Sequence, residues 1–187
     1  AHFQCIETSG TAMRDSSPAA TNGTYSYVTV NATTYRGQPI PSFNGSSSVA
    51  SFTSAILGTK GTGFMIARVS AVGDWSDATV RFLMRIQVDA NNLLFVQKTN
   101  TNNQLQIRYR AGSTEKSIAL LTSTTDFFKL VWTWGDLNNG NALNLWFNGV
   151  AHTPQATFGA FTGTITTKNF GENSANSWKG NIGRIGL

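Results

Sequence analysis

Large apolar residues alternate with polar ones along much of this chain, with a repeat of two. Residues 79–89 show it most plainly: Val80, Phe82, Met84, Ile86 and Val88 fall on one side, Arg81, Leu83, Arg85, Gln87 and Asp89 on the other. Residues 104–110 do the same, setting Leu105, Ile107 and Tyr109 against Gln106, Arg108 and Arg110. Successive side chains of a strand point to opposite faces, so each segment predicts a strand with one face in a core and one outward. Residues 64–69 form a short apolar run that fits a buried strand. Further strands are predicted at 93–98, 117–121, 127–134, 143–148, 164–167 and 181–187, with β-formers at Tyr25, Tyr27 and Val28–Val30. No stretch sustains a 3.6-residue apolar period for three turns, so helix is not expected.

Turn residues separate these runs. Asn148-Gly149 follows an aromatic strand and is the strongest hairpin signal. Pro39-Ile40-Pro41 is expected to break a strand. Phe52, Ile56 and Leu57 precede a loop at 58–63; a polar loop carries Trp75 after Gly73-Asp74, and another carries His152 beside Pro154. Residues 1–24, rich in Ser, Thr, Ala and Gly, read as an irregular lead-in packed on the sandwich, with one short strand at 3–6. Residues 25–187 read as a single domain without repeat or linker. The expected fold is an all-β antiparallel sandwich.

Composition sharpens this. Of the 187 residues 12% are charged, about half the usual share of roughly 25%, so the polar surface is built from Ser, Thr, Asn and Gly. That surface suits extracellular β-proteins and phage virion proteins alike. The net charge of +5 reflects few acids, and the fourteen Lys and Arg are scattered. A nucleic-acid partner, which calls for clustered basic residues, is not expected. A single cysteine, Cys5, excludes an internal disulfide and reads as a small buried hydrophobe. No apolar run reaches membrane length, so membrane insertion is not expected.

Three segments taken in order resemble a known family. Residues 127–134 (FFKLVWTW) precede 143–150 (LNLWFNGV), the chain closes on 178–187 (WKGNIGRIGL), and 42–49 (SFNGSSSV) supply an early element. This order resembles the laminin-G-like, concanavalin-A-like lectin/glucanase jelly roll over roughly residues 43–187. Relatives continue past the last strand, so the resemblance leaves this chain's final edge to be completed elsewhere or by a partner. It implies a fold used either to hold carbohydrate or to cut it.

The residues for cutting are missing. Glucanases of this superfamily set acids at i, i+2 on one strand so that the carboxylates share a cleft. The three glutamates here, at 7, 115 and 172, stand on no such strand, and Asp74 and Asp77 are three apart. The lyase signatures of this fold, Gln-x-His and Tyr-x-Lys-x-Gly-x-Tyr, do not occur, and no Gly-x-Ser-x-Gly elbow accompanies His152 or His2. The chain is not expected to be an enzyme.

Residues for holding are present. If strands 79–89, 93–98 and 104–110 form a meander, Arg81, Arg85, Gln87, Gln106, Arg108 and Arg110 share one outward face. Guanidinium forks there suit carboxylates, sulfates and phosphates, so an anionic glycan is the natural ligand. Trp75 and Trp146 are candidate sugar-stacking indoles: Trp75 by its polar loop, Trp146 because it alternates against Leu145 and Phe147. Trp132, Trp134 and Trp178 are assigned to the core. No cofactor is called for. The resemblance leaves a rim calcium open, with Asp74, Asp77, Asp136 and Asn138 as its ligands.

The resulting expectation is a non-catalytic recognition module that binds carbohydrate or mediates adhesion at a cell or virion surface. The alternative is a structural virion protein, in capsid decoration or a tail fibre, that holds no small ligand and works as an oligomer. Either role places it extracellularly or on a virion.

Overall fold

The computed structural model describes residues 1–18, 20–53, 60–135, 142–156, 162–172 and 174–187. Their strands form two sheets. The first runs β14 (Val150–Ala156), β13 (Ala142–Phe147), β12 (Phe128–Trp134), β7 (Gly61–Val69), β16 (Lys179–Gly186), β5 (Gln38–Asn44), β4 (Thr29–Tyr35), with β1 (His2–Phe3) paired to the end of β16. The second runs β11 (Thr114–Leu121), β10 (Gln104–Ala111), β9 (Asn92–Lys98), β8 (Arg81–Asp89), β15 (Thr167–Gly171), β6 (Val49–Ser51), β3 (Gly23–Ser26), β2 (Ala12–Met13). The ladders within both sheets are antiparallel. A single helical turn, α1 (Gly73–Ser76), links β7 to β8.

The alternating residues explain the layering. Leu105, Ile107 and Tyr109 of β10 and Phe128, Leu130, Trp132 and Trp134 of β12 all enter one buried core between the sheets. Gly61 and Gly63 make room for the last two: a Cβ at either would collide with the indole of Trp134 or Trp132. The hairpin from β13 to β14 turns on Asn148 (φ 51°) and Gly149 (φ 86°), the left-handed pair that the Asn-Gly signal called for.

Several expectations are corrected. Residues 1–24 are not irregular throughout: they hold β1, β2 and the start of β3, and bury Phe3, Cys5 and Met13. Asp15 pins this stretch, accepting from the amides of His2 (2.8 Å), Ser17 (2.9 Å) and Thr21 (3.2 Å). Pro39 and Pro41 do not break β5, because its ladder to β16 begins only at Ser42 and neither proline has to donate to that strand. Gly61 and Gly63 belong to β7, and His152 to β14. The last strand is no edge: β16 lies between β7 and β5. Ile56 and Leu57 lie outside the described residues.

Candidate functional site: the outer face of β8, β9 and β10

β8, β9 and β10 form the meander, with Arg85 opposite Phe95 and Phe95 opposite Arg108. Gln87 and Arg110 flank Leu93 in the same way, and Gln106 stands beside Gln97. Arg85, Gln87, Gln106, Arg108 and Arg110 therefore share the outward face. Arg81 does not join them. A bulge between Phe82 and Met84 shifts the register, placing Phe82 outward beside Gln97 and Arg81 beside the buried Lys98.

The face has two layers. Phe82, Leu93 and Phe95 form a small apolar cluster separate from the main core, with Phe82 and Phe95 edge to face at 5.0 Å. The Arg85 guanidinium lies over both rings, 5.3 Å from the centre of Phe82 and 5.5 Å from Phe95. Such contacts fix a cation and shield its apolar neighbours from water. Arg85 Nε donates to Gln87 Oε1 (2.9 Å), and Nη1 pairs with Glu172. Arg108 Nη2 donates to Glu115 Oε2 (2.6 Å), which also meets Arg110 Nε at 2.9 Å, and Gln97 Nε2 donates to Gln106 Oε1 (3.0 Å). Arg108 Nε and Glu172 Oε2 are buried with no hydrogen-bond partner. The result is a fixed array of guanidinium and amide groups over an aromatic floor, suited to binding hydroxyls and single anionic groups.

Gln97, Phe82 and Phe95 were missed in the sequence. Residues of β9 are buried on both faces, so their pattern did not reveal which side Gln97 and Phe95 take, and the bulge in β8 turns Phe82 outward against its alternation.

Trp75 is not a surface platform. It is 0% exposed, packs against Phe128 and Trp178, and its Nε1 donates to Thr124 O at 2.7 Å. The polar residues around it form α1, which turns the indole into the core. Trp132, Trp134 and Trp178 are buried as expected. Trp146 is half-buried on the outer face of the other sheet, so it does not meet the arginines.

Of the proposed calcium ligands, Asp74 and Asp77 are engaged by other partners. Asp74 Oδ1 takes Lys179 Nζ at 2.7 Å, and its Oδ2 accepts the Ala71 amide. Asp77 pairs with Arg81 (2.7 Å) and Lys98 (2.6 Å). Burial pushes the Asp77 carboxyl up, but the hydrogen bonds from Lys98 and Arg81 outweigh it and hold it below the usual carboxylate range. Lysine and arginine nitrogens already take these oxygens. Asp136 and Asn138 lie outside the described residues. Among the described residues no three His, Cys, Asp or Glu side chains cluster as metal ligands.

No protein-family model and no curated protein matches the sequence. Solved structures do match. Domain 4 of AbnA, a GH43 extracellular arabinanase from Geobacillus stearothermophilus solved with arabinotriose, superposes with a TM-score of 0.71 at 17% identity, over 99% of this chain and 89% of that one. The receptor-binding domain of a mosaic C/D botulinum neurotoxin gives 0.69 at 14% identity, over 97% of this chain. Domains LG4-5 of the mouse laminin alpha1 chain give 0.54 at 12%, over 72% of this chain. This chain spans 46% of the toxin domain and 36% of the laminin pair. The likeness establishes the fold, a jelly-roll β-sandwich of the laminin-G-like, concanavalin-A-like kind.

Proposed function

We propose that this domain is a non-catalytic glycan-recognition module acting outside the cell, and that the outer face of β8, β9 and β10 is its contact surface. The observation that carries this reading is the Arg85 guanidinium laid over Phe82 and Phe95, flanked by Gln87, Gln106 and Arg108. Arg85 Nη2, Gln87 Nε2 and Gln106 Nε2 have no partner among the described residues and are available to sugar hydroxyls. The two carboxylates that pair the three arginines leave the array with an excess of one positive charge. We therefore read the ligand as a glycan with an isolated carboxylate or sulfate, not a densely sulfated polymer. The same fold in a domain solved with arabinotriose supports the carbohydrate class.

A glycan array followed by titration calorimetry tests the reading. Wild-type protein should bind a carboxylated or sulfated oligosaccharide, and Arg85→Ala combined with Gln106→Ala should weaken it at least about tenfold, the size of one to two lost hydrogen bonds to charged groups. Undiminished affinity in the double variant would remove this face from the argument.

A further inference from the structure

We propose that the outer face of the opposite sheet carries a second, independent sugar subsite, centred on Trp146 and suited to uncharged sugar rings. Trp146 stands directly across from Val131 on β12, and Val131 directly across from Phe64 on β7. Val131 is 38% exposed, and Phe64 and Trp146 are half-buried, so the three form an accessible apolar row across three strands. Two inter-strand spacings make that row ~10 Å long, about the span of a disaccharide. The end of the row at Trp146 sinks into a shallow depression of about 470 Å³, lined also by Lys129, Thr133 and Asn148.

Trp146 differs from the other four tryptophans. Those are buried: Trp75 and Trp178 bond their indole nitrogens to Thr124 O and Arg68 O, and Trp132 Nε1, though without a hydrogen-bond partner among the described residues, is sealed in the core, so Trp146 is set apart by its exposure. Trp146 Nε1 has no partner among the described residues. A half-exposed indole beside a depression, its N–H without a partner among the described residues, is equipped for a ligand that is apolar on one side and polar at its edge.

The rim identifies that ligand. Asn144 Nδ2 donates to Thr133 Oγ1 (2.7 Å), which leaves the Thr133 hydroxyl proton and Asn144 Oδ1 without a partner among the described residues. Asn148 Oδ1 accepts the Lys129 amide (2.8 Å), leaving its own side-chain N–H groups without a partner among the described residues. A lipid chain or an apolar protein surface would bury these groups unpaired, which is unfavourable for each of them. A sugar ring places C–H groups on the indole and hydroxyls on the rim, and satisfies both.

Affinity electrophoresis in gels containing arabinan, xylan or galactomannan provides the test. Wild-type protein should be retarded by at least one of these. Trp146→Ala and Val131→Lys should weaken that retardation at least tenfold, Trp146→Phe should keep most of it, and Leu121→Ser, exposed on β11 of the other sheet, should leave it unchanged. Melting curves establish that each variant is folded. The same polysaccharide should protect tryptophan fluorescence from acrylamide in the wild type and not in Trp146→Ala. Retardation by none of the three polymers, or wild-type retardation of a folded Trp146→Ala, would overturn the proposal. Equal loss in Arg85→Ala would assign the sugar to the opposite face.

Discussion

Lys98 Nζ lies 2.6 Å from Asp77 Oδ1, and the Lys98 side chain has no exposed surface. The ammonium also donates to the backbone oxygens of Asp77 and Thr79, so all three of its protons have acceptors. Removing one partner of a buried pair costs about 3–5 kcal/mol, most where the charge left behind is buried, whereas replacing both charges by apolar groups of similar size is often neutral. Asp77→Ala should therefore destabilise toward the lower end of that range, since its side chain is 29% exposed. Lys98→Met should cost less, because Asp77 keeps Arg81. Urea unfolding of both variants checks the order, and a larger loss in Lys98→Met would refute it.

The same pairings bear on calcium. An ion at 100 times its Kd adds about 2.7 kcal/mol to stability, which for a chain of this size is several degrees of Tm. With Asp74 and Asp77 occupied by Lys179, Lys98 and Arg81, the melting temperature should be the same in EDTA and in millimolar calcium. A rise of several degrees in calcium would contradict this.

Acid should loosen the fold through Asp77 and Asp15. Burial raises the Asp15 carboxyl, yet amide hydrogen bonds from His2, Ser17 and Thr21 bring it below its ordinary value of 3.8. A carboxylate with a depressed folded pKa contributes stability above its unfolded pKa and loses it as pH falls through the folded value. Stability should decline as pH drops below about 4, and Asp15→Asn should flatten the decline. Unfolding midpoints at pH 5, 4 and 3 measure both slopes.

Gly63→Ala drives a methyl group into the Trp132 indole. Overpacking a tight core costs about 1–3 kcal/mol, so Tm should fall by roughly 3–10 °C. Gly73→Ala meets nothing within 4 Å and lies in α1, and it should leave Tm unchanged or slightly raised. Thermal melts of the pair separate close packing from a general effect of losing glycine.

Burial pushes the Cys5 thiol up to about 12. Native protein should resist thiol reagents at pH 8 and react fully in denaturant, as a colorimetric disulfide-exchange assay would report. Rapid labelling of the native form would contradict the packing around Phe3 and Tyr25.

Much of the sandwich was legible in the sequence because a period of two survives wherever one face is core and the other is not, as in β10. The reading failed where a local feature interrupts that period. One extra residue between Phe82 and Met84 was enough to turn Arg81 inward, and a four-residue helix was enough to bury Trp75. The bulge sits at the start of β8, and α1 in the stretch joining the two sheets, where a tertiary contact such as Trp75 Nε1 to Thr124 O decides the geometry. The outward placement of Trp146 was legible in its alternation with the buried Leu145.

Ala1 and Leu187 lie side by side: the Ala1 nitrogen donates to Leu187 O (2.9 Å), and the Leu187 amide donates to Ala1 O (3.0 Å). β1 runs antiparallel to β16, with His2 opposite Gly186 and Phe3 opposite Ile185. Tension applied through the ends would load these bonds one after another, as a zipper opens, and not all at once in shear. A pull would thus peel away β1 first, while β16 stays held between β7 and β5. The N-terminal strand would act as a mechanical fuse, yielding under load before the body of the sandwich carries it.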